Sequence, residues 1–223
     1  KRVKSKNLRL LDGKPLIEHI VEAAASVTLF DSVHVNSEDE TFRVIAQKHA
    51  LEFYKRSPEL ATDTATNDDF AYDFIKQIGG DVLIQMLPTS PFIDSKMIEN
   101  FINVMISTEV ETLISVNDIK IECVYKGVPI NFDQKAQTPP SQLLSPVKAY
   151  ACGLMGWKTD RFSKNMHKYG SAYHGGDGSI GFYDIKGLGT LDIDEEYDFA
   201  IAEAVFRAKH ETDLMPAYFS MDA

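Results

Sequence analysis

The chain has 223 residues, 44% of them hydrophobic, which suits a single α/β domain large enough to bury a core without staples. Its two cysteines, Cys123 and Cys152, lack CxxC spacing; that sets aside a disulfide framework or zinc site and fits a reducing, cytoplasmic setting. A net charge of −10 argues against nucleic-acid binding, and no apolar run approaches the roughly 18 residues that span a membrane.

The charge is unevenly placed. Residues 1–14 carry six basic groups against one acid, Asp12, a net +5 that leaves −15 on the remainder. Such an arm suits a small polyanion such as a triphosphate; a solvated tail is the other reading. Asp12-Gly13-Lys14-Pro15 then spells a turn with proline at a helix start, and Leu16, Ile17, Ile20, Val21 and Ala24 recur at helical spacing. Ser32–Asn36 alternates as a short strand with Val33 and Val35 inward. Phe42, Ile45, Ala46 and His49 mark a second helix, with His49 at the edge of the core rather than a ligand.

Leu51–Tyr54 reads as another strand and Ala61–Asn67 as a loop, with Asn67 capping a helix that carries Phe70, Ala71, Phe74 and Ile78. Gly79-Gly80 ends it. Asp81–Leu87 is a continuous apolar run, the pattern of a strand buried on both faces, and Pro88-Thr89-Ser90-Pro91 stops it. A helix follows on Met97, Ile98, Phe101, Ile102 and Met105, then a strand at Thr112–Val116. This alternation predicts a mostly parallel sheet covered on both faces. The pattern breaks over about residues 121–147, which read as an inserted hairpin arm. Strands return at Lys148–Trp157 and Ile180–Ile185, and a last helix runs over about Glu195–Lys209 with Phe199, Ala200, Ala204 and Val205 on one face. Folds of this class start on a central strand, so a strand and the entrance of a phosphate loop are expected before Lys1.

Four stretches carry chemistry. The first is Lys1-Arg2-Val3-Lys4-Ser5-Lys6-Asn7-Leu8 with Leu11-Asp12-Gly13-Lys14-Pro15-Leu16, where lysines on a loop before a helix can neutralise a triphosphate. The second is Arg56-Ser57-Pro58-Glu59-Leu60-Ala61-Thr62-Asp63-Thr64-Ala65-Thr66, which suits either a pocket for a flat base or a turn with capping residues. The third, Leu87-Pro88-Thr89-Ser90-Pro91-Phe92, lies at a strand's carboxyl end, where ligands of open α/β sheets sit. The fourth is Leu191-Asp192-Ile193-Asp194-Glu195-Glu196-Tyr197-Asp198-Phe199. Asp192 and Asp194 alternate on an extended segment, so both carboxylates face one side as hard ligands for Mg²⁺; Asp194 capping the next helix is the alternative.

In this order the four stretches resemble the acylneuraminate (CMP-sialic acid) cytidylyltransferase family over nearly the whole chain. The resemblance implies a Rossmann-like three-layer nucleotidyltransferase fold spanning residues 1–223, with a β-rich arm that reaches a second subunit of a homodimer. It implies that CTP and a sialic-acid-like sugar acid give CMP-sugar and pyrophosphate, with Mg²⁺ on Asp192 and Asp194. Lys1 and Lys6 are the implied catalytic and phosphate-holding lysines. Asn7, Arg56, Asp63, Thr64, Thr66, Pro88 and Thr89 complete the implied nucleotide site, and Gln85, Leu87, Ser90 and Gln142 the sugar site.

The sequence departs from the family where the sugar is held. Leu87 stands at the glutamine position, with Gln85 two residues earlier, and Ile93 at the arginine position. A weaker match runs from Gln142-Leu143-Leu144-Ser145-Pro146 to Cys152-Gly153-Leu154-Met155-Gly156-Trp157, with Cys152 in place of the usual asparagine. Gln142 also reads as an ordinary loop residue, and His174-Gly175-Gly176-Asp177-Gly178 as a glycine-rich turn. Two rival classes are a metal-dependent glycosyltransferase, whose Asp-x-Asp motif usually lies mid-chain, and a non-catalytic nucleotide sensor.

Overall fold

The computed structural model describes residues 5–62 and 64–210, the side chain of Cys152 excepted. The expected strand before Lys1 therefore lies outside the described residues. A short hairpin, β1 (Leu10–Leu11) with β2 (Lys14–Pro15), leads into α1 (Leu16–Ala25), then β3 (His34–Ser37), α2 (Thr41–Lys48), β4 (Glu52–Lys55) and α3 (Asn67–Ile78). After these come β5 (Val82–Met86), α4 (Ser95–Thr108), β6 (Thr112–Ile119), the hairpin β7 (Val124–Tyr125) and β8 (Val128–Pro129), and β9 (Val147–Lys158). The described chain ends with α5 (Thr159–Tyr169), β10 (Ile180–Asp184) and α6 (Glu196–His210).

The main sheet has the order β10-β6-β9-β5. β10 pairs in parallel with β6, but β9 runs antiparallel to both β6 and β5, so the sheet is mixed where a mostly parallel one was expected. An apolar run buried on both faces has the same composition whichever way it runs, so direction is invisible in composition. Two glycines of β9 leave room for α4 and for the turn after β5 to pack against it. A Cβ on Gly156 would lie 2.7 Å from Met105 Sδ, and one on Gly153 2.4 Å from Ile93 Cδ1. β3 and β4 form a separate parallel pair.

Helices cover both faces, as the three-layer expectation requires. On one side α1 and α4 bury Ile20, Ile98, Phe101 and Met105 against Leu113 and Leu154, with Ile84 at the margin. On the other, α3 and α5 bury Ala71, Ile75 and Phe162 against Ile114, Met155 and Trp157. α3 spans both sheets, since its Phe74 ring also meets His34 and Tyr54 of the β3–β4 pair at 5.2 and 5.3 Å. The capping residue of α3 is Thr66 rather than Asn67: its hydroxyl accepts from Asp69 N, while the Asp69 carboxylate accepts from Thr66 N.

Two local expectations shift, and one helix was not expected. The first strand begins at His34, leaving Val33 outside it. The buried stripe of α6 is Phe199 and Ala202, with Val205 and Phe206 packed beside them, whereas Ala200 and Ala204 are exposed. α5 carries no expectation at all, because its apolar stripe is thin; it is held instead by Asn165, whose buried amide donates to Gly175 O and Asp177 O at 2.7 and 3.1 Å. Within 121–147, β7 and β8 pair as a short antiparallel hairpin, and Asn131 donates to Ile121 O and Ser145 O. No helix among the described residues is long and apolar enough to cross a membrane.

Candidate active site

The opening loop and the last helix meet across most of the chain. Lys6 Nζ donates to Ile193 O at 2.6 Å and to Asp194 Oδ1 at 3.0 Å. Next along the loop, Arg9 pairs with Glu196 and lies over the Phe199 ring, 3.8 Å from its centroid. Leu11 and Leu16 share an apolar cluster with Ile193 and Phe199, so the cationic loop is laid along α6 by packing as well as by charge.

The turn after β5 closes the site. Thr89 O accepts from Ile193 N at 2.9 Å, which pins the Asp192–Asp194 segment to the carboxyl end of β5. Asp192 is half-buried, and burial pushes its carboxyl above the ordinary carboxylate range. A hydrogen bond from the Thr89 side chain and the nearby Lys6 charge oppose the rise, while Asp194 and Asp198 add to it. Its Oδ1 is buried with no hydrogen-bond partner. An orphaned, half-buried carboxylate oxygen beside a second carboxylate is a donor set that fits a hard divalent cation. In the first turn of α6, Asp198 Oδ2 accepts from Asp194 N at 3.0 Å and Glu195 N at 2.8 Å.

Other expected residues divide into those at this site and those elsewhere. Asn7 follows Lys6 with its Oδ1 buried and unpartnered, and Gln85 Oε1 is likewise buried without a partner. Gln85 alternates with Ile84, which packs on the α1–α4 side, so it faces α3 and α5 as Leu83 does. Arg56 donates from Nη2 to Glu38 at 2.6 Å, and its guanidinium lies 5.1 Å from the Phe70 ring centroid. Pro88 and Thr89 form the turn against the aspartate segment. Leu87 is bonded through its N–H to Gly153 O at 3.1 Å, and Ser90 is 1% exposed, packed against Gly153.

Thr66 is engaged as the α3 cap and Thr64 shares a hydrogen bond with Thr62 at 3.0 Å; both sit on an exposed turn. Gln142 is exposed in a single 3-10 turn of the arm, Ser141–Leu143. Lys1 and Asp63 lie outside the described residues. Sequence reasoning missed Glu38, just past the end of β3, as the partner that holds Arg56.

A family model described as Cytidylyltransferase matches residues 1–124, and the chain belongs to that family. It is 26% identical to an N-acylneuraminate cytidylyltransferase of Escherichia coli O18:K1:H7 over 94% of this chain and 50% of that protein. It is 30% identical to a CMP-N,N'-diacetyllegionaminic acid synthase of Legionella pneumophila over 55% of each chain. The chain spans about half the length of the curated relatives it matches over most of its own. Among solved structures, a CMP:2-keto-3-deoxy-manno-octonic acid synthetase complexed with CTP superposes with a TM-score of 0.72 at 15% identity, covering 94% of both chains. A 4-diphosphocytidyl-2C-methyl-D-erythritol synthase from Anaerococcus prevotii superposes at 0.63 with 11% identity, covering 90% of this chain and 91% of that one. These likenesses establish the fold as that of cytidylyltransferases.

Proposed function

We propose that the protein is a cytidylyltransferase that couples CTP to a sialic-acid-like sugar acid, giving CMP-sugar and pyrophosphate. The observation that carries this reading is the meeting of Lys6 with Ile193 O and Asp194, beside the orphaned Asp192 oxygen. A cation and two carboxylates held on rigid elements at the end of β5 suit a polyphosphate and its counter-ion.

In the proposed reaction the anomeric hydroxyl of the sugar acid attacks the α-phosphorus of CTP in line, and the bond to the β-phosphate oxygen breaks. Lys6, with Lys1 of the same loop, holds the polyphosphate and stabilises charge on the departing pyrophosphate. Asp192 and Asp194 would hold Mg²⁺, which when bound neutralises phosphate charge and orients the nucleotide. Thr89 and Asp198 fix the aspartate segment, so this geometry exists before substrate arrives. Arg56 takes the base. The sugar belongs beside Gln85 and Leu87 at the mouth of β5, and the Leu87 and Ile93 departures favour a sugar acid other than the common sialic acid.

The same proposal includes a soluble, cytoplasmic homodimer formed through the arm. Exposed Ile121, Val124, Tyr125, Val128, Ile130 and Leu143 on that segment support it. A pyrophosphate-release screen of the four nucleoside triphosphates against sugar acids, with and without Mg²⁺, tests the activity. CTP with one sugar acid and Mg²⁺ is expected to turn over. Consumption of a nucleotide-sugar donor, or CTP binding without turnover in the full-length protein, would overturn the reading.

A further inference from the structure

A cavity that the proposed reaction leaves unused lies at the same edge of the sheet as the turn that holds the aspartates. β5, β6 and β10 run in one direction and β9 against them, so the carboxyl ends of the three share one edge, where α/β sheets take ligands. Between the ends of β6 and β10 is a cavity of about 350 Å³. Asn117, Asp118 and Lys120 line it from the end of β6, and Asp184 and Lys186 from the end of β10. Val116 packs on the α3–α5 side of the sheet; Asp184 is its partner across the ladder, and Asp118 stands two residues further along β6. Both carboxylates therefore lie on the side that Gln85 faces.

The walls are held in place by one another and still have bonds to give. Lys148 Nζ donates to Asp118 Oδ1 at 2.7 Å, Asp118 N donates to Asp184 Oδ1 at 3.2 Å, and Lys186 Nζ lies 3.6 Å from Asp184 Oδ2. A carboxylate accepts about four hydrogen bonds, so each keeps capacity toward the cavity, while the ammonium groups and the Asn117 amide supply donors. Such a set matches an uncharged part of a ligand that donates and accepts at several points, as a chain of hydroxyls does. An apolar terminus would strip these groups of water without replacing its hydrogen bonds.

The distance suits a long substrate. Ile185 N bonds Val116 O at 2.8 Å beside the cavity, and Ile193 N bonds Thr89 O at the turn after β5, so the segment that carries Asp192 runs from one place to the other. Only β9 stands between β5 and β6, which sets them roughly 10 Å apart at the usual strand spacing. We propose that this cavity takes the hydroxylated tail of a nine-carbon sugar acid whose reacting end sits at the mouth of β5. Asp118 and Asp184 accept from the tail hydroxyls, Lys186 donates to them, and Lys148 is a positioning residue that holds Asp118. The cavity then selects acids with a hydroxylated tail over those whose tail is shortened or ends in a methyl group. The inference rests on the sugar-acid reading above.

The test uses full-length protein and pyrophosphate release with CTP. Two acids are compared: a nine-carbon sugar acid with a hydroxylated tail, and its seven-carbon analogue made by periodate cleavage and reduction of that tail. Wild-type protein is expected to use the analogue about tenfold less well in kcat/KM, the discrimination that one lost hydrogen bond gives. Asp184→Ala is expected to raise KM for the intact acid about tenfold, with KM for the analogue and for CTP within about twofold, and Asp184→Asn, which keeps an acceptor, to restore most of the loss. A merely structural role would raise KM for both acids alike. Lys186→Ala removes a side chain that is 85% exposed, so the fold is spared, and is expected to lower the preference for the intact acid about threefold. Equal use of the two acids by wild-type protein would overturn the proposal without any variant having to fold. So would a folded Asp184→Ala or Lys186→Ala protein that keeps the wild-type preference. Turnover confined to acids that lack the tail would overturn this inference and leave the functional reading standing. If wild-type protein turns over no sugar acid with CTP, the functional reading fails first and this inference falls with it.

Discussion

Lys6 is one ammonium serving two acceptors, a backbone carbonyl and the Asp194 carboxylate, with a side chain only 21% exposed. A group so placed acts on a charged ligand at reduced screening, which raises its worth above that of a surface lysine. Lys6→Ala is expected to lower kcat/KM for CTP by about 10²-fold, and Asp192→Asn by about 10²–10³-fold, magnitudes typical of a lost preorganised electrostatic contact. Steady-state pyrophosphate release checks both, and a variant within about threefold of wild type would remove that residue from the site. These residues stood out in the sequence through the family resemblance that joins the basic loop to the Asp-x-Asp stretch, since each stretch alone also reads as a solvated tail or a helix cap. Glu38 as the partner of Arg56 did not, since the pair joins residues 18 apart in sequence.

At the level of elements, capping and a buried ion pair hold the frame around the site. Thr66→Ala removes one half of the capping box of α3, the helix that covers both sheets, and is expected to cost about 1 kcal/mol in urea unfolding. Glu18 of α1 is 2% exposed and pairs with Lys48 and with His49 Nε2, the latter at 2.7 Å. Burial alone would raise its carboxyl, but the hydrogen bonds from Lys48 and His49 outweigh burial and hold it below the ordinary range. A depressed folded-state value means this stabilisation is present above the usual carboxylate pKa and lost as pH falls through the folded one. Glu18→Gln is therefore expected to be less stable than wild type by about 1–3 kcal/mol at neutral pH, with the gap closing in acid. Thermal unfolding at pH 7 and pH 4 measures it; a gap that does not shrink would assign the loss to packing.

The same pair shows what sequence could not supply. His49 was placed at a core edge by helical spacing, and it sits there, but its partner lies 31 residues away. Helices with a full apolar stripe were legible for the same reason, spacing being a local property. α5 escaped because buried Asn165 supplies part of its anchoring, and the reversed course of β9 escaped because strand direction leaves no trace in composition.

Across the whole molecule, two apparently separate ends of the sequence are one structure: the cationic loop is laid on α6, and the turn after β5 clasps the segment between them. The arm is the other large-scale feature. If it joins two copies, light scattering is expected to give twice the mass of one chain, and Val128→Asp, a buried charge at such an interface, to give one. A monomer in the unaltered protein would remove the arm's proposed role without touching the site.

The claim on which the account turns is that the loop lysine and the late aspartates serve the same bound triphosphate. The most direct measurement is a double-mutant cycle on kcat/KM for CTP, comparing Lys6→Ala, Asp192→Asn and the combined variant with wild type. A combined loss well short of the product of the single losses is expected for groups acting as one unit. Losses that multiply fully, or a single variant with undiminished activity, would contradict it.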